Sequence, residues 1–485
     1  MSGHDCDVLV IGGGVSGLAN AWWLAREGLS VEVWEADERA GGKILSNRRD
    51  GYLTERAAAM VMNFRPEVAD LVRETGLEPA KTARMPLAEA RRYLLHQGAL
   101  KSLPMRLGAM IASPLWSTRG KLRLLAEPFI LTSGRKDESV SHFVCRRLGH
   151  EVLDKAMEPF VAGTLAADPD QTSADAALPR LKALEQRYGS IAAGILMNRI
   201  LRRRTACATD TFSFRSGIGT LVDTLTKGPG VSLRSSHRVR ELVREDDGWC
   251  VSAETAEGHR SVIAQHVIVS TPAPAAAALL KPLDRELAEL LHGINYAAVA
   301  VVHAGMDRGD VSHPLDGTGF LAPRGEGHAL TGNLWMSSLF PDRAPRGKVL
   351  LTSYLGGARA PQVKDWDDER IVDETLRTLR PLLGLKGAPE MVRIDRHRQA
   401  LPLYHGAYQS RMQSIAERLR SLPGLHLEAN YIGGVSVRDR LARGRSLAKQ
   451  ILAERQWSPA ERNRSHDELF TSSEMMGTVQ AHGHE

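Results

Sequence analysis

The chain has 485 residues, 43% of them hydrophobic and 25% charged, with a formal net charge of +6. That composition is ordinary for a soluble globular protein and is long enough for two or three domains. No apolar run reaches the roughly eighteen residues of a spanning helix and no signal peptide precedes the first strand, so both are excluded as expectations. Mild basicity fits an anionic substrate or an anionic membrane surface, whereas no aromatic-rich basic motif supports nucleic acid. Cys6, Cys145, Cys207 and Cys250 form no CxxC pair and read as reduced thiols of a cytoplasmic protein.

Residues 7–11 are an apolar run that predicts a buried parallel strand. The chain passes directly into Gly12-Gly13-Gly14-Val15-Ser16-Gly17, and residues 18–25 then carry a helical pattern. A second strand, 31–34, ends in Glu35. Strand, glycine turn, helix, strand and acid stand in the order of a dinucleotide-binding unit. Gly12 permits the tight turn, Gly14 lets backbone approach a pyrophosphate, and Gly17 lets the helix pack closely on the sheet. Val15 and Ser16 open the helix, whose free N–H groups and partial positive charge suit phosphates. Glu35 is placed to accept hydrogen bonds from an adenosine ribose.

Residues 64–76 show helical spacing closing on Gly76, and 91–100 read as a hairpin turning at His96–Gly98. Residues 101–204 are mainly helical in pattern. Within them 103–111 and Leu115-Trp116, with Arg119, Lys121 and Arg123, combine apolar and basic side chains as an interfacial helix does. A helix packed on the protein's own core has the same pattern. Arg199 to Arg204 reads as a solvated basic face. His142, Cys145 and His150 lack a fourth ligand, so no metal site is expected. Residues 212–222 give a strand, a glycine turn and a helix start; 231–234, 239–243 and 249–253 read as strands, and 264–270 as another that meets Thr271-Pro272. Further strands are predicted at 297–302, 348–354 and 391–394, with a helix over 366–384. Residues 425–435 form a strand and glycine turn, 436–452 the helix after it, and the polar stretch 456–485 a mobile tail.

Glu38-Arg39-Ala40-Gly41-Gly42-Lys43 resembles the Arg-x-Gly-Gly stretch that follows this unit in flavoprotein amine oxidases, phytoene desaturases and protoporphyrinogen oxidases. The resemblance implies FAD, held by Arg39, Gly41, Gly42 and Lys43 together with the glycine turn. Residues 158–163, 179–185, 217–221, 319–323, 340–345 and 423–427, with Asn430-Tyr431, resemble the protoporphyrinogen oxidase family in particular. The likeness runs to about residue 452. It implies an α/β, two-dinucleotide-binding-domain flavoprotein with a Rossmann-like FAD domain, a mixed-sheet substrate domain and a helical membrane-binding domain. The expected division is FAD domain 1–55, 205–285 and 425–455, substrate domain 56–95 and 286–424, helical domain 96–204 and tail 456–485. By the same resemblance Val239 passes the adenine through its backbone, and Asn430 and Val435 lie where the chain closes over the flavin. Arg92 corresponds to the family's basic residue near the substrate carboxylates, an exposed arginine in a basic pair being the plain alternative.

The reaction implied is the six-electron oxidation of protoporphyrinogen IX to protoporphyrin IX, with hydride transfer to flavin and reoxidation by oxygen or a quinone. A homodimer, cytoplasmic and peripheral on the inner face of the membrane, goes with it. No catalytic residue is assigned. Departures from the family stand at Glu55-Arg56-Ala57-Ala58, Ala167-Asp168, Ala429, Ser436 and Arg438-Asp439-Arg440. Added side chains there narrow a pocket built around bare backbone. They keep two alternatives open: an FAD oxidase or desaturase of another reduced pyrrole, amine or polyene, and a catalytically idle FAD-binding protein.

Overall fold

The structure, a computed structural model, describes residues 4–103, 113, 115–130, 132, 134–135, 137–201, 210–246 and 248–456. The basic run beyond Leu201, Cys207, the interfacial stretch over 104–111 and the tail from 457 lie outside the described residues.

Cys6–Ile11 pairs in parallel with Val31–Trp34 on one side and with the end of Gly258–Val269 on the other. Val231–Arg234 adds beyond Val31–Trp34, and Leu425–Leu427 joins Gly258–Val269. Residues from three distant parts of the chain therefore share one seven-stranded sheet, which Trp249–Thr255 and Arg238–Arg244 complete. A parallel sheet must be covered on both faces, which is why its strands are continuously apolar. Val8 and Val10 pack under the helices Val15–Arg26 and Val437–Gln456, while Leu9 and Ile11 pack against Ala273–Leu280 and Arg285–His292.

A second seven-stranded sheet runs Met391–Pro402, Tyr296–Asp307, Lys348–Gly356, Leu330–Trp335, Gly319–Leu321, Tyr93–His96 and Ala99–Ser102. The last two form the expected hairpin, turned by Gln97 at φ 54° and Gly98 at φ 71°, the left-handed pair a two-residue hairpin turn requires. One face of this sheet packs on Asp368–Leu383 through Ile371, Leu379 and Leu383. Met391–Pro402 is longer than its apolar start predicts. Asp395 to Gln399 carry no apolar alternation, and the ladder to Tyr296–Asp307 holds them extended.

A small third sheet places Asp210–Phe214 between Val61–Asn63 and Lys81–Ala83, both antiparallel to it. The two outer strands thus run the same way and leave the sheet at one edge. Helices Thr118–Leu125, Val140–Arg147, Glu158–Leu165, Pro179–Tyr188 and Ile191–Ile200 make up the helical part. Leu115 and Trp116 are buried in it, so they belong to its core.

A buried ion pair ties the strand Tyr52–Glu55 and the third sheet to the loop before Lys348–Gly356. Glu55, at the end of Tyr52–Glu55, accepts from Arg343 Nη1 at 2.7 Å, from Ser46 Oγ at 2.5 Å and from the Ile218 amide at 3.0 Å. Arg343 Nη2 also donates to Ser213 Oγ at 2.6 Å. Both side chains are 1% exposed. Burial pushes the Glu55 carboxyl up, and Arg343 pulls it part of the way back. Removing one partner strands the other charge, which costs about 3–5 kcal/mol. Arg343→Met is therefore expected to lower unfolding free energy by that much in urea. The pair Glu55→Leu with Arg343→Met is expected to recover part of it; a double variant no more stable than the single one would show that the hydrogen bonds, not the unpaired charge, matter.

Candidate functional site

The glycine turn lies at the carboxyl ends of Cys6–Ile11 and Gly258–Val269. Gly12 has φ 107°, and a Cβ on Gly17 would stand 2.0 Å from the Gly12 carbonyl oxygen. Both positions demand glycine sterically. A Cβ on Gly14 meets nothing within 4 Å, so the space above the helix start is open. No side chain caps Val15–Arg26, leaving the amides around Val15 and Ser16 free to meet an anion. Beside the turn, Thr271 Oγ1 is buried without a hydrogen-bond partner. An open cradle of amides with an orphaned hydroxyl beside it fits a pyrophosphate.

The loop carrying Arg39, Gly41, Gly42 and Lys43 docks on this turn. The Gly41 amide donates to the Gly13 carbonyl at 2.7 Å. Arg39 turns onto its own loop, donating to the carbonyls of Ala40, Ile44 and Gly42. Its guanidinium shapes the loop. Glu35 accepts from the Gly13 amide at 2.7 Å and the Asp37 amide at 2.9 Å, so its carboxylate is held at the turn. His237 N bonds to the Glu35 carbonyl, which brings the stretch leading to Val239 alongside. Lys43 is half-buried, donates to the Ala400 carbonyl at 2.8 Å and stands 5.7 Å from the Tyr296 ring. Burial lowers its pKa to about 8. Tyr296 in turn reaches Asn430 at 3.4 Å. Val435 follows Gly433 and Gly434, both at positive φ, just before the helix Val437–Gln456.

One face of the second sheet carries His303, Tyr354, Asp395 and His397, by their register with Val299 and Val301. His397 Nε2 bonds the Arg56 carbonyl at 2.8 Å, so this face meets the segment after Glu55. His303 Nδ1 bonds Thr352 Oγ1 at 2.9 Å, and burial drops its pKa to about 4. These groups brace one another. No serine or cysteine nucleophile sits with a base among the described residues here, and the arrangement offers a bound cofactor a fixed polar wall.

Arg92 is half-buried and makes no side-chain hydrogen bond or ion pair among the described residues. Burial, then Arg84, lowers its pKa. The departures have separate physical meanings. Ser436 caps the last helix, its Oγ accepting from the Asp439 amide at 3.2 Å. Ala167 and Ala429 are each 2% exposed and fill space. Thr271 was missed as a site residue; its signal was the strand ending in Ser-Thr-Pro. At the other end of the parallel sheet, ligand atoms of His266, His426 and Glu454 lie within 4.8 Å of one another. The two imidazoles face each other at 3.3 Å, a grouping that sequence spacing does not reveal.

The family model described as flavin containing amine oxidoreductase matches residues 15–452. Protoporphyrinogen oxidase 2, chloroplastic/mitochondrial, of Arabidopsis thaliana is 31% identical over 477 residues, covering 92% of this chain and 94% of that protein. Coproporphyrinogen III oxidase of Bacillus subtilis (strain 168) is 29% identical over 471 residues, covering 93% and 99%. A crystal structure from Exiguobacterium sp. 255-15, described as a "Putative protoporphyrinogen oxidase", superposes with TM-score 0.77 at 25% identity, covering 94% of this chain and 100% of that one.

The glycine geometry makes a paired expectation. Gly14→Val leaves the fold intact and empties the cradle, so the purified protein keeps its thermal midpoint without cofactor and loses its visible flavin absorbance. Gly17→Val drives a side chain into the Gly12 carbonyl and lowers yield and midpoint together. A yellow, fully loaded Gly14→Val protein would place the pyrophosphate elsewhere.

Proposed function

The chain belongs to the protoporphyrinogen oxidase family within the flavin containing amine oxidoreductases, and from that premise we propose that it oxidises a porphyrinogen to the corresponding porphyrin. It is an FAD-dependent oxidoreductase. The reaction expected from the sequence is protoporphyrinogen IX to protoporphyrin IX, a loss of six electrons in three rounds. Bound FAD supplies the two-electron acceptor for each round, with oxygen or a quinone taking the electrons on. The chain's own part is binding and orientation. The amides at Gly14, Val15 and Ser16 meet the pyrophosphate, Glu35 the ribose, and the Lys43 loop fixes the turn beneath it. Val239, Asn430 and Val435 close the cofactor from its other sides.

The observation that carries this reading is Arg92, a half-buried guanidinium that makes no side-chain hydrogen bond or ion pair among the described residues, the carboxylate near it, Glu89, being paired to Arg84. Such a group is costly unless a ligand carboxylate completes it, and a propionate does so bidentately. Ala167 and Ala429, buried where the family keeps bare backbone, favour the second reading of another reduced pyrrole, amine or polyene.

Among the described residues no helix is long and apolar enough to cross a membrane. Leu122, Leu125, Phe129, Ile195, Leu196 and Ile200 are exposed, Phe129 by 81%. Arg119 and Arg199 are exposed beside them. Apolar side chains interleaved with cations suit the surface of an anionic bilayer, and a peripheral contact there is part of the proposal.

Freshly reduced protoporphyrinogen IX, added without oxygen, is expected to bleach the bound flavin, and air to restore it as porphyrin fluorescence rises. Arg92→Ala is expected to raise KM about tenfold or more with little change in kcat. Flavin that no porphyrinogen bleaches would move the search to amines and polyenes. Separately, the protein is expected to sediment with phosphatidylglycerol vesicles, and Phe129→Glu with Leu196→Glu to stay in the supernatant. Equal sedimentation of both proteins would remove the membrane contact.

A further inference from the structure

Three residues away from the cofactor turn break the apolar pattern of the first sheet. Gly258–Val269 and Leu425–Leu427 pair in parallel, with Ile268 opposite His426. Val267, Leu425 and Leu427 point into one core. Side chains alternate along a strand, so His266 and His426 face the opposite core, which holds Val8 and Ile268. Val8 is the ladder partner of His266. That face is covered by Val437–Gln456, whose Leu447, Ala448 and Ile451 lie in the same core. Glu454 stands one helical turn after Ile451 and continues this stripe toward the two imidazoles. Two histidines and an acid thus occupy positions where the surrounding pattern calls for apolar residues.

Their geometry is that of a ligand set. His266 and His426 are 6% and 8% exposed. His266 Nδ1 and His426 Nε2 stand 3.3 Å apart, and with a Glu454 carboxylate oxygen all three ligand atoms lie within 4.8 Å of one another. A direct hydrogen bond between two ring nitrogens closes best at about 2.9–3.0 Å. Zinc holds imidazole nitrogen at about 2.0–2.1 Å in a tetrahedral shell, which sets two such nitrogens roughly 3.3–3.4 Å apart. An octahedral ion with bonds of the same length would draw them to roughly 2.9 Å, and magnesium prefers oxygen in any case. The spacing therefore suits a tetrahedral cation with nitrogen ligands. Gln450 Nε2 donates to Glu454 Oε1 at 2.9 Å, the kind of outer contact that aims a ligating carboxylate.

We propose that His266 Nδ1, His426 Nε2 and a Glu454 carboxylate oxygen bind a zinc ion, with water as its fourth ligand, and that the ion clamps the end of the last helix to the parallel sheet. Each ring offers its lone pair at the named nitrogen and keeps its proton on the other. A rotamer change of Glu454 brings the carboxylate in. The site lies three residues before Val269 along its strand, about 10 Å from the glycine turn. Zinc carries no redox chemistry, so its part is mechanical, joining strands drawn from two distant stretches of the chain to the helix that covers them.

The FAD-loaded full-length protein is stripped with a chelator, dialysed, and titrated with zinc chloride. About one tightly bound zinc per chain is expected by elemental analysis, with a rise in thermal midpoint. Cobalt chloride in its place is expected to give tetrahedral ligand-field bands to the red of the flavin. Glu454→Gln, at the half-buried end of the helix, is expected to weaken zinc at least tenfold, and His426→Gln to abolish both the tight site and the cobalt bands. Flavin content and the midpoint without metal show that each variant is folded. Should His426→Gln lose its flavin, Glu454→Gln alone decides. Zinc held equally tightly by wild type and Glu454→Gln would assign it to other histidines and overturn the site, as would a wild-type protein that takes up no zinc.

Discussion

The Glu55–Arg343 pair is the constraint on which the site depends. Glu55 ends the strand Tyr52–Glu55, Arg343 comes from the loop between Leu330–Trp335 and Lys348–Gly356 of the second sheet, and Ile218 and Ser213 come from the stretch that returns the chain to the first sheet. One carboxylate and one guanidinium, both fully buried, thus fix three chain segments that share no continuous sequence. The segment that follows, Arg56 to Ala59, has little freedom left, because His397 also holds the Arg56 carbonyl. It lies between the cofactor turn and the polar face of the second sheet. A buried pair of this kind contributes little net stability relative to an apolar replacement; what it does here is hold those segments in register.

The glycine turn was legible in the sequence because each glycine answers a local steric demand. Gly12 needs positive φ and Gly17 would otherwise drive a Cβ into a carbonyl, so short-range spacing is enough to read them. The hairpin at Gln97-Gly98 was legible for the same reason. Met391–Pro402 was only partly so: its second half is held by a neighbouring strand, not by its own alternation. The arginine group around Phe64 was invisible, since Phe64, Arg180 and Arg438 are far apart in sequence and each alone is an ordinary residue. Arg39 illustrates a different limit. Its loop docks on the glycine turn, yet its guanidinium is turned onto loop carbonyls, and motif spacing cannot say which way a long side chain folds.

The departures from the family pattern divide along the same line. Ser436 replaces backbone freedom with a helix cap and an ion-paired Asp439, exchanging adaptability at the turn for a rigid helix start. Rigidity there places Arg438 against Met62 and Phe64. Ala167 sits next to Ala166, which holds φ 52°, unusual for a residue with a side chain, and Asp168 is fixed by Arg324 at 2.6 Å. These positions have been refilled with contacts rather than left loose.

Charge balance separates the ligand-binding parts from the scaffold. In the helical part Arg146, Arg147 and Lys182 meet Glu127, Glu138 and Glu185, three cations against three carboxylates, in one continuous network. Around the cofactor turn and the third sheet some cations are paired, Lys81 with Asp210 and Arg84 with Glu89, while three make no ion pair among the described residues: Lys43 bonds a carbonyl, Arg92 stands beside Arg84, and Arg180 faces a ring. Lys43 and Arg92 are partly desolvated, so an uncompensated charge there weakens the unliganded fold. Cations neutralised one for one in the helices, and Lys43 and Arg92 left without an ion pair beside the glycine turn and the third sheet, are the charge pattern that anionic ligands would complete.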